Sequence, residues 1–140
     1  MFKYLILLLI IGCGKIPSIQ KGYTTQRLQD IIGEFEQDFD LNVNYSVKFV
    51  KIFTNIPVKN QIGVCARNEY FNYVEILYTY ENNQLLDPIV YHELGHCSLN
   101  LGHYNSVKDI MNSSLTPQLG TNFIFYRDQM LINYFTFIYP

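Results

Sequence analysis

The stretch that decides the fold runs from Asp87 to Met111 and reads DPIVYHELGHCSLNLGHYNSVKDIM. Within it, His92, Glu93 and His96 form the pattern H-E-x-x-H. Residues four apart lie on one face of an α-helix, so the two histidines can bind one metal ion. Glu93 then lies beside that ion, where it can act on a metal-bound water. The pattern therefore predicts a helix that carries two metal ligands and a candidate general base.

The same stretch carries signals for both ends of this helix. Asp87 is a favourable N-cap, and Pro88 is a favourable first helical residue. Asn100 and Gly102 both tolerate the left-handed conformation that ends helices. A turn is needed there, because a helix continued to His103 would carry that side chain away from the metal.

A third ligand is expected because catalytic zinc takes three protein ligands and keeps one position open. His103 is the candidate, and with His92 and His96 it accounts for every histidine in the chain. H-E-x-x-H alone is weak evidence, since many unrelated helices carry two solvated or capped histidines at this spacing. The concentration of all the histidines in one segment favours a zinc site over that alternative.

The segment resembles the metzincin clan of zinc peptidases, in which a third His follows a helix-ending Gly by three residues and a Met-turn lies under the metal. Here the helix-ending position is Asn100, His103 follows it by three, and D-I-M at 109–111 stands in place of the Met-turn. The spacing from His96 is one residue longer than in the usual H-E-x-x-H-x-x-G-x-x-H. The resemblance implies that Met111 is a hydrophobic floor beneath the histidines; a plain core Met is the alternative.

A closer resemblance is to small lipoprotein metallopeptidases of bacteria and phages, over about residues 60 to 135. These carry a G-x-C strand, H-E-L-G-H-C, a late third His and an S-I-M-like turn. The matching residues are Gly63, Cys65, His92 to Cys97, His103 and Ile110-Met111. The implied fold is α+β: a small zincin-like or metzincin-like domain with a mixed twisted sheet, a backing helix, an active-site zinc helix and a C-terminal helix.

In metzincins an edge strand just before the zinc helix runs antiparallel to the bound substrate. The resemblance assigns that role to part of Val74 to Tyr78 or to the strand from Ile62 to Ala66. Main-chain hydrogen bonds at such an edge hold any extended peptide, and pockets select its side chains. A plain interior strand is the alternative reading of either segment.

The implied activity is that of a zinc-dependent endopeptidase. Three neutral imidazoles hold Zn²⁺, which lowers the pKa of its bound water to about 7. Glu93 takes the proton from that water as general base and passes it to the leaving amine of a peptide or protein substrate. Some metzincins place a helper Tyr two residues after the Met-turn Met, where this chain has Ser113.

Two other functions stay open at this point. One is a non-catalytic envelope lipoprotein that uses zinc for structure or for binding a partner. The other is a zinc amidase that acts on peptidoglycan. Glu93 favours catalysis over the first alternative, because a structural zinc site has no need of a base.

The N-terminus is typical of a lipoprotein signal peptide over residues 1–12. Lys3 precedes an apolar run, Leu5 to Ile11, that is too short to span a bilayer as a helix. The run ends in Gly12-Cys13, which resembles a bacterial lipobox and implies cleavage before Cys13 and lipid attachment to it. The mature protein would lie on the extracytoplasmic side of an inner or outer bacterial membrane. An ordinary signal peptide or an N-terminal anchor is the alternative.

Residues 13–22 are then expected to form a tether and residues 23–140 the metallopeptidase domain. Once Cys13 is acylated, Cys65 and Cys97 remain, and in an exported protein they can form a disulfide. That bridge would pin the zinc helix to the sheet. Two buried free thiols are the alternative.

Length and charge limit the remaining possibilities. The chain has 140 residues, which suggests one domain, and its net charge of −2 gives no reason to expect nucleic-acid binding. A monomer is expected. Periodicity predicts an amphipathic helix over 25–39, strands over 45–53, 62–66 and 70–80, a loop over 112–121 and a closing helix over 122–135. Arg127 and Asp128 inside the closing helix favour packing against the domain over membrane insertion.

Overall fold

The computed structural model describes residues 22–54, 60–67, 70, 72–106 and 109–137. Its elements are α1 (Gln26–Phe39), β1 (Ser46–Val50), β2 (Gly63–Arg67), β3 (Asn72–Leu77), a short 3-10 helix (Tyr78–Tyr80), α2 (Leu86–Leu99), α3 (Pro117–Thr121) and α4 (Phe123–Phe135). They form a small α+β domain with one mixed sheet, as predicted. The signal peptide, Cys13 and the tether up to residue 21 lie outside the described residues.

The sheet has three strands in the order β1-β3-β2. β1 runs parallel to β3, and β2 runs antiparallel to it on the other side. Val50, the last residue of β1, lies opposite Leu77, the last residue of β3. The strands predicted over 45–53 and 70–80 are therefore too long, because pairing ends at this point. Beyond it the chain closes into the 3-10 helix.

The helix predicted near residue 25 is confirmed as α1. Thr25 is its N-cap, and its Oγ1 accepts a hydrogen bond from the backbone N–H of Leu28 at 3.2 Å. The helix ends where Asp40 adopts a left-handed conformation with φ 51°. Its buried stripe faces the rest of the domain and consists of Leu28, Ile31, Phe35 and Phe39.

α2 is the central element, because the sheet packs on one side of it and α1 and α4 pack on the other. A helix that is apolar around most of its circumference is buried in this way. Tyr91 illustrates both contacts: its ring packs edge-on against Phe35 of α1 at 5.1 Å and against Phe123 of α4 at 5.0 Å. Its hydroxyl donates to Asp38 Oδ2 at 2.7 Å.

The predicted start of this helix was wrong by two residues. The N-cap is Leu85 rather than Asp87, because a turn at Asn83 begins the helix earlier: Asn83 Oδ1 accepts from Leu85 N–H at 2.8 Å. Asp87 lies instead in the first turn, where a carboxylate stabilises the helix N-terminus. Pro88 also lies in this turn, whose N–H groups have no intrahelical partner, so its missing N–H breaks no hydrogen bond.

The predicted end of α2 is confirmed at one residue and wrong at another. Asn100 ends the helix in the left-handed conformation with φ 56°. Leu101 N–H then donates to Gly95 O at 3.0 Å. Gly102 does not use left-handed backbone, so the turn toward His103 depends on Asn100.

The C-terminal part differs from the prediction in one respect. Pro117 begins a short helix, α3, within the segment predicted to be a loop, since Pro is well suited to a first helical position. The predicted closing helix is confirmed as α4. None of the helices in the described part of the chain has the length and apolarity needed to cross a bilayer.

A disulfide joins Cys65 of β2 to Cys97 of α2, so the predicted bridge is confirmed. Arg67, the last residue of β2, adds polar contacts nearby. Its guanidinium donates to His96 O at 3.3 Å and to the side-chain oxygen of Asn100. Both acceptors belong to the C-terminal turn of α2, where a cation is electrostatically favourable. β2 is therefore held covalently and electrostatically against the helix that carries the histidines.

Candidate metal centre

The three predicted histidine ligands come together on one side of α2. His92 and His96 lie one helical turn apart, and their Nε2 atoms are 3.0 Å from each other. The His103 ring arrives from the segment after the helix, with its centroid 5.2 Å from that of His92 and 4.8 Å from that of His96. One ligand nitrogen from each ring lies within 4.8 Å of the others. These three residues can therefore hold a single metal ion.

Backbone carbonyls fix how the two helix histidines present their rings. His92 Nδ1 lies 2.6 Å from Ile110 O, and His96 Nδ1 lies 2.6 Å from Leu101 O. A carbonyl can only accept, so each Nδ1 carries the proton and each Nε2 keeps its lone pair. Metal-binding histidines are commonly oriented by such a second hydrogen bond. The lone pairs of both rings consequently point to one place.

The arrangement fits zinc. Zinc binds imidazole nitrogen at 2.0–2.1 Å with tetrahedral geometry, which places two ligand nitrogens about 3.3 Å apart. The Nε2 atoms of His92 and His96 are 3.0 Å apart, close to that value. All three donors are imidazoles, a ligand type that suits zinc. Cys97 is excluded as a ligand because its sulfur is in the disulfide.

Burial keeps the helix histidines in the form that binds metal. The pKa of His92 is lowered to about 4, mainly by burial; the hydrogen bond with the Ile110 carbonyl opposes this shift, and the charges of the neighbouring histidines add to it. Burial also lowers the pKa of His96. Only the neutral imidazole has a free lone pair for a metal, so both residues are ready to bind at neutral pH.

Glu93 lies beside the histidines and is 7% exposed. Burial raises the pKa of its carboxyl to about 7, while a hydrogen bond from the backbone N–H of Cys65 acts in the opposite direction. The approach to β2 is very close: a Cβ added at Gly63 would lie 2.8 Å from Glu93 Oε1. A side chain at position 63 would therefore force the Glu93 side chain to move from this place beneath the strand. In the sequence, Gly63 stood out only through its match to the G-x-C strand, and nothing there indicated its contact with Glu93.

Met111 packs against the histidine-bearing helix at Gly95. It is fully buried, and a Cβ added at Gly95 would lie 2.6 Å from its sulfur. The glycine inside H-E-L-G-H is therefore the point where the Met111 side chain approaches the helix backbone. The role of Met111 as a hydrophobic floor beneath the histidines, which the resemblance implied, stays a prediction.

The histidines and Glu93 open into a cleft of about 480 Å³. Its walls come from the start of β2, the residues just before α2, the ligand segment and the loop after Met111. The lining residues are Asn60, Gln61, Ile62, Gly63, Val64, Cys65, Tyr80, Leu85, His92, Glu93, His96, His103, Ser113, Ser114 and Leu115. Ser113, which occupies the place of the helper Tyr, thus lies on the cleft wall.

Of the two candidate edge strands, only β2 lies at an edge. β3, which contains most of Val74 to Tyr78, is the central strand, so that assignment was wrong. Leu77 N–H donates to Ile62 O at 3.0 Å, and backbone groups alternate along an antiparallel pair. The amides and carbonyls of Gly63 and Cys65 therefore point away from β3, on the side of the cleft.

Comparison of the chain with protein-family models, with curated proteins and with solved structures gives no match.

Several residues that shape the site gave no signal in the sequence. The carbonyls of Leu101 and Ile110 orient the histidines, yet a backbone carbonyl is present at every position and no residue type marks it. Asp109, the first residue of the turn at 109–111, and Asn133 of α4 are 24 residues apart and meet only in the folded chain. Such partners follow from tertiary contacts and not from local spacing.

Proposed function

We propose that this protein is a zinc-dependent endopeptidase of metzincin-like type, with His92, His96 and His103 as zinc ligands and Glu93 as general base. The observation that carries the proposal is the convergence of these groups: two helix Nε2 atoms 3.0 Å apart, a third imidazole beside them and a buried carboxylate next to them in an open cleft. The same proposal includes a zincin-like fold for the domain.

An open cleft supports catalysis over a structural role. Structural zinc sites are closed by four protein ligands, whereas catalytic sites use three and leave one position for water or substrate. Among the described residues, the candidate group contains three ligands. The cleft beside them gives a substrate access to the fourth position.

The chemistry divides between the metal and Glu93. When bound, zinc supplies Lewis acidity toward a carbonyl oxygen and toward a water molecule. The Glu93 carboxylate would accept a proton from the attacking water and would return it to the leaving amine. In the metal-free chain, burial raises the pKa of this carboxyl toward neutral pH, and a general base works best when its pKa lies near the operating pH.

The edge of β2 supports an extended peptide as the substrate. Its outward backbone groups at Gly63 and Cys65 lie beside Glu93, so a peptide added antiparallel to β2 would pass over the metal centre. The Cys65 N–H bonds to Glu93, and a peptide carbonyl would compete for it. The same proposal includes the predicted lipid anchor at Cys13, which would hold this activity at the outer side of a bacterial membrane.

Two variants distinguish zinc binding from catalysis. Metal analysis should give one zinc per chain, and a peptide library should show cleavage. Glu93→Ala should keep zinc but lose at least ~10²-fold in cleavage rate, the scale of lost general-base catalysis. His103→Ala should weaken zinc binding sharply, because two ligands hold the ion less well than three.

Asp87→Asn is a matched control, since it removes a carboxylate from the same helix outside the cleft. It should leave zinc content and cleavage unchanged. Full cleavage by Glu93→Ala would exclude the peptidase mechanism. A wild-type chain that binds zinc and cleaves no peptide would support the alternative of a non-catalytic zinc lipoprotein.

A further inference from the structure

A buried polar contact links α4 to the turn at 109–111. Asn133 Nδ2 of α4 donates to Asp109 Oδ2 at 2.9 Å, and the two residues are 6% and 2% exposed. Gln129 Nε2 donates to Asn133 Oδ1 at 3.0 Å and so fixes the orientation of the Asn133 amide. Burying such groups is unfavourable unless they are hydrogen-bonded, so the contact favours one defined arrangement of the turn.

The other carboxylate oxygen of Asp109 shapes the turn itself. Asp109 Oδ1 accepts from Met111 N–H at 2.7 Å, which closes a local side-chain-to-backbone turn. Two carbonyls of this turn then reach the segments that carry metal ligands. Ile110 O accepts from His92 Nδ1 at 2.6 Å, and Met111 O accepts from Tyr104 N–H, the residue after His103, at 2.8 Å.

We propose that Asn133 is a positioning residue for the metal centre: through Asp109 it holds the turn at 109–111, whose carbonyls orient His92 and the segment of His103. His96 is oriented by Leu101 O instead, so two of the three ligands depend on this turn. The inference rests on the proposed metal site but not on peptidase activity. Its readouts are therefore metal affinity and coordination geometry.

Asn133→Leu keeps the side-chain size and removes the donor to Asp109. Partners that orient metal ligands typically contribute 10–100-fold to metal affinity, and Asn133 acts one contact further out, so the zinc Kd should rise about 10-fold. The measurement is competition with a chromophoric chelator on the full chain in detergent. The visible absorption spectrum of the Co²⁺-loaded chain should also change, because it reports ligand geometry.

Two controls test whether this hydrogen bond, and not general stability, is responsible. Ile132→Ala changes an exposed side chain of α4 next to Asn133 and leaves both hydrogen bonds of Asn133 intact, so zinc affinity should stay close to that of the wild type. N133D places two carboxylates against each other without a donor and should weaken zinc binding. The double variant D109N/N133D exchanges donor and acceptor and should recover most of the affinity.

The outcomes distinguish this inference from the proposed function. Folded Asn133→Leu with wild-type zinc affinity and an unchanged Co²⁺ spectrum overturns the positioning role and leaves the zinc site intact. If Asn133→Leu fails to fold, the exchange variant provides the test instead. A D109N/N133D chain that binds zinc no better than N133D overturns the inference. A wild-type chain that binds no zinc overturns both proposals.

Discussion

Removing the disulfide that joins β2 to α2 should destabilise the domain by an amount that the chain length between the cysteines sets. Cys65 and Cys97 are 32 residues apart in sequence. Closing a loop of this length in the unfolded chain lowers its entropy by about 12 cal/mol/K, which corresponds to about 3.7 kcal/mol at 25 °C. We therefore expect C65A/C97A to lose about 3–4 kcal/mol in free energy of unfolding.

Urea unfolding, followed by far-ultraviolet circular dichroism in the presence of a chelator, measures this change. With a slope of about 2 kcal/mol per molar urea, the midpoint should fall by about 2 M. Native domains typically have only 5–15 kcal/mol of stability, so the loss is a large fraction of the total. The chelator is needed because bound metal would stabilise both forms by mass action.

Reductant provides the matched control. It should lower the midpoint of the wild type to about that of C65A/C97A and leave the midpoint of the double variant unchanged. Two thiols that react with an alkylating agent in the native, non-reduced protein would refute the bridge. A loss below about 1 kcal/mol would instead refute the loop-entropy reasoning.

Three further predictions concern the site and the anchor. Gly95→Ala should weaken zinc binding, because the new Cβ meets Met111. For the same reason it should not show the gain of about 1 kcal/mol in free energy of unfolding that is usual when Ala replaces Gly in a helix. A higher midpoint of urea unfolding would contradict this. In metal-free protein the pKa of Glu93 is raised from 4.5 to about 7, so its stabilising contribution is present below pH 4.5 and lost as pH rises through 7. The side chain introduced by Glu93→Gln cannot ionise, so the free energy of unfolding of this variant should rise relative to that of the wild type by up to about 3 kcal/mol as the pH increases from 5 to 8. Parallel pH profiles of the two free energies would exclude this. Cys13→Ser should abolish lipid labelling and membrane retention; unchanged retention together with no lipid mass on the wild type would reject the anchor.

Local spacing in the sequence was enough to predict the candidate ligands and most of the helices. The four-residue interval between His92 and His96 places both on one helix face whatever surrounds them, because helix periodicity is a local property. Asn100 likewise predicts the end of that helix from its own tolerance of left-handed backbone. The cysteine pair was predicted from count and compartment alone, with free thiols left open until the fold placed Cys65 against Cys97.

Tertiary structure alone decided which strand is the edge and what supports the ligands. β3 is central because β1 pairs with it in parallel from a distant part of the chain, and no local pattern encodes that pairing. A side chain at position 63 would displace the Glu93 carboxylate that passes beneath it, and Asp109 meets Asn133 across 24 residues. These contacts join groups that are far apart in sequence, and any residue has the backbone carbonyl that orients a histidine. The sequence determined which side chains could bind metal, and the folded chain determined where they point.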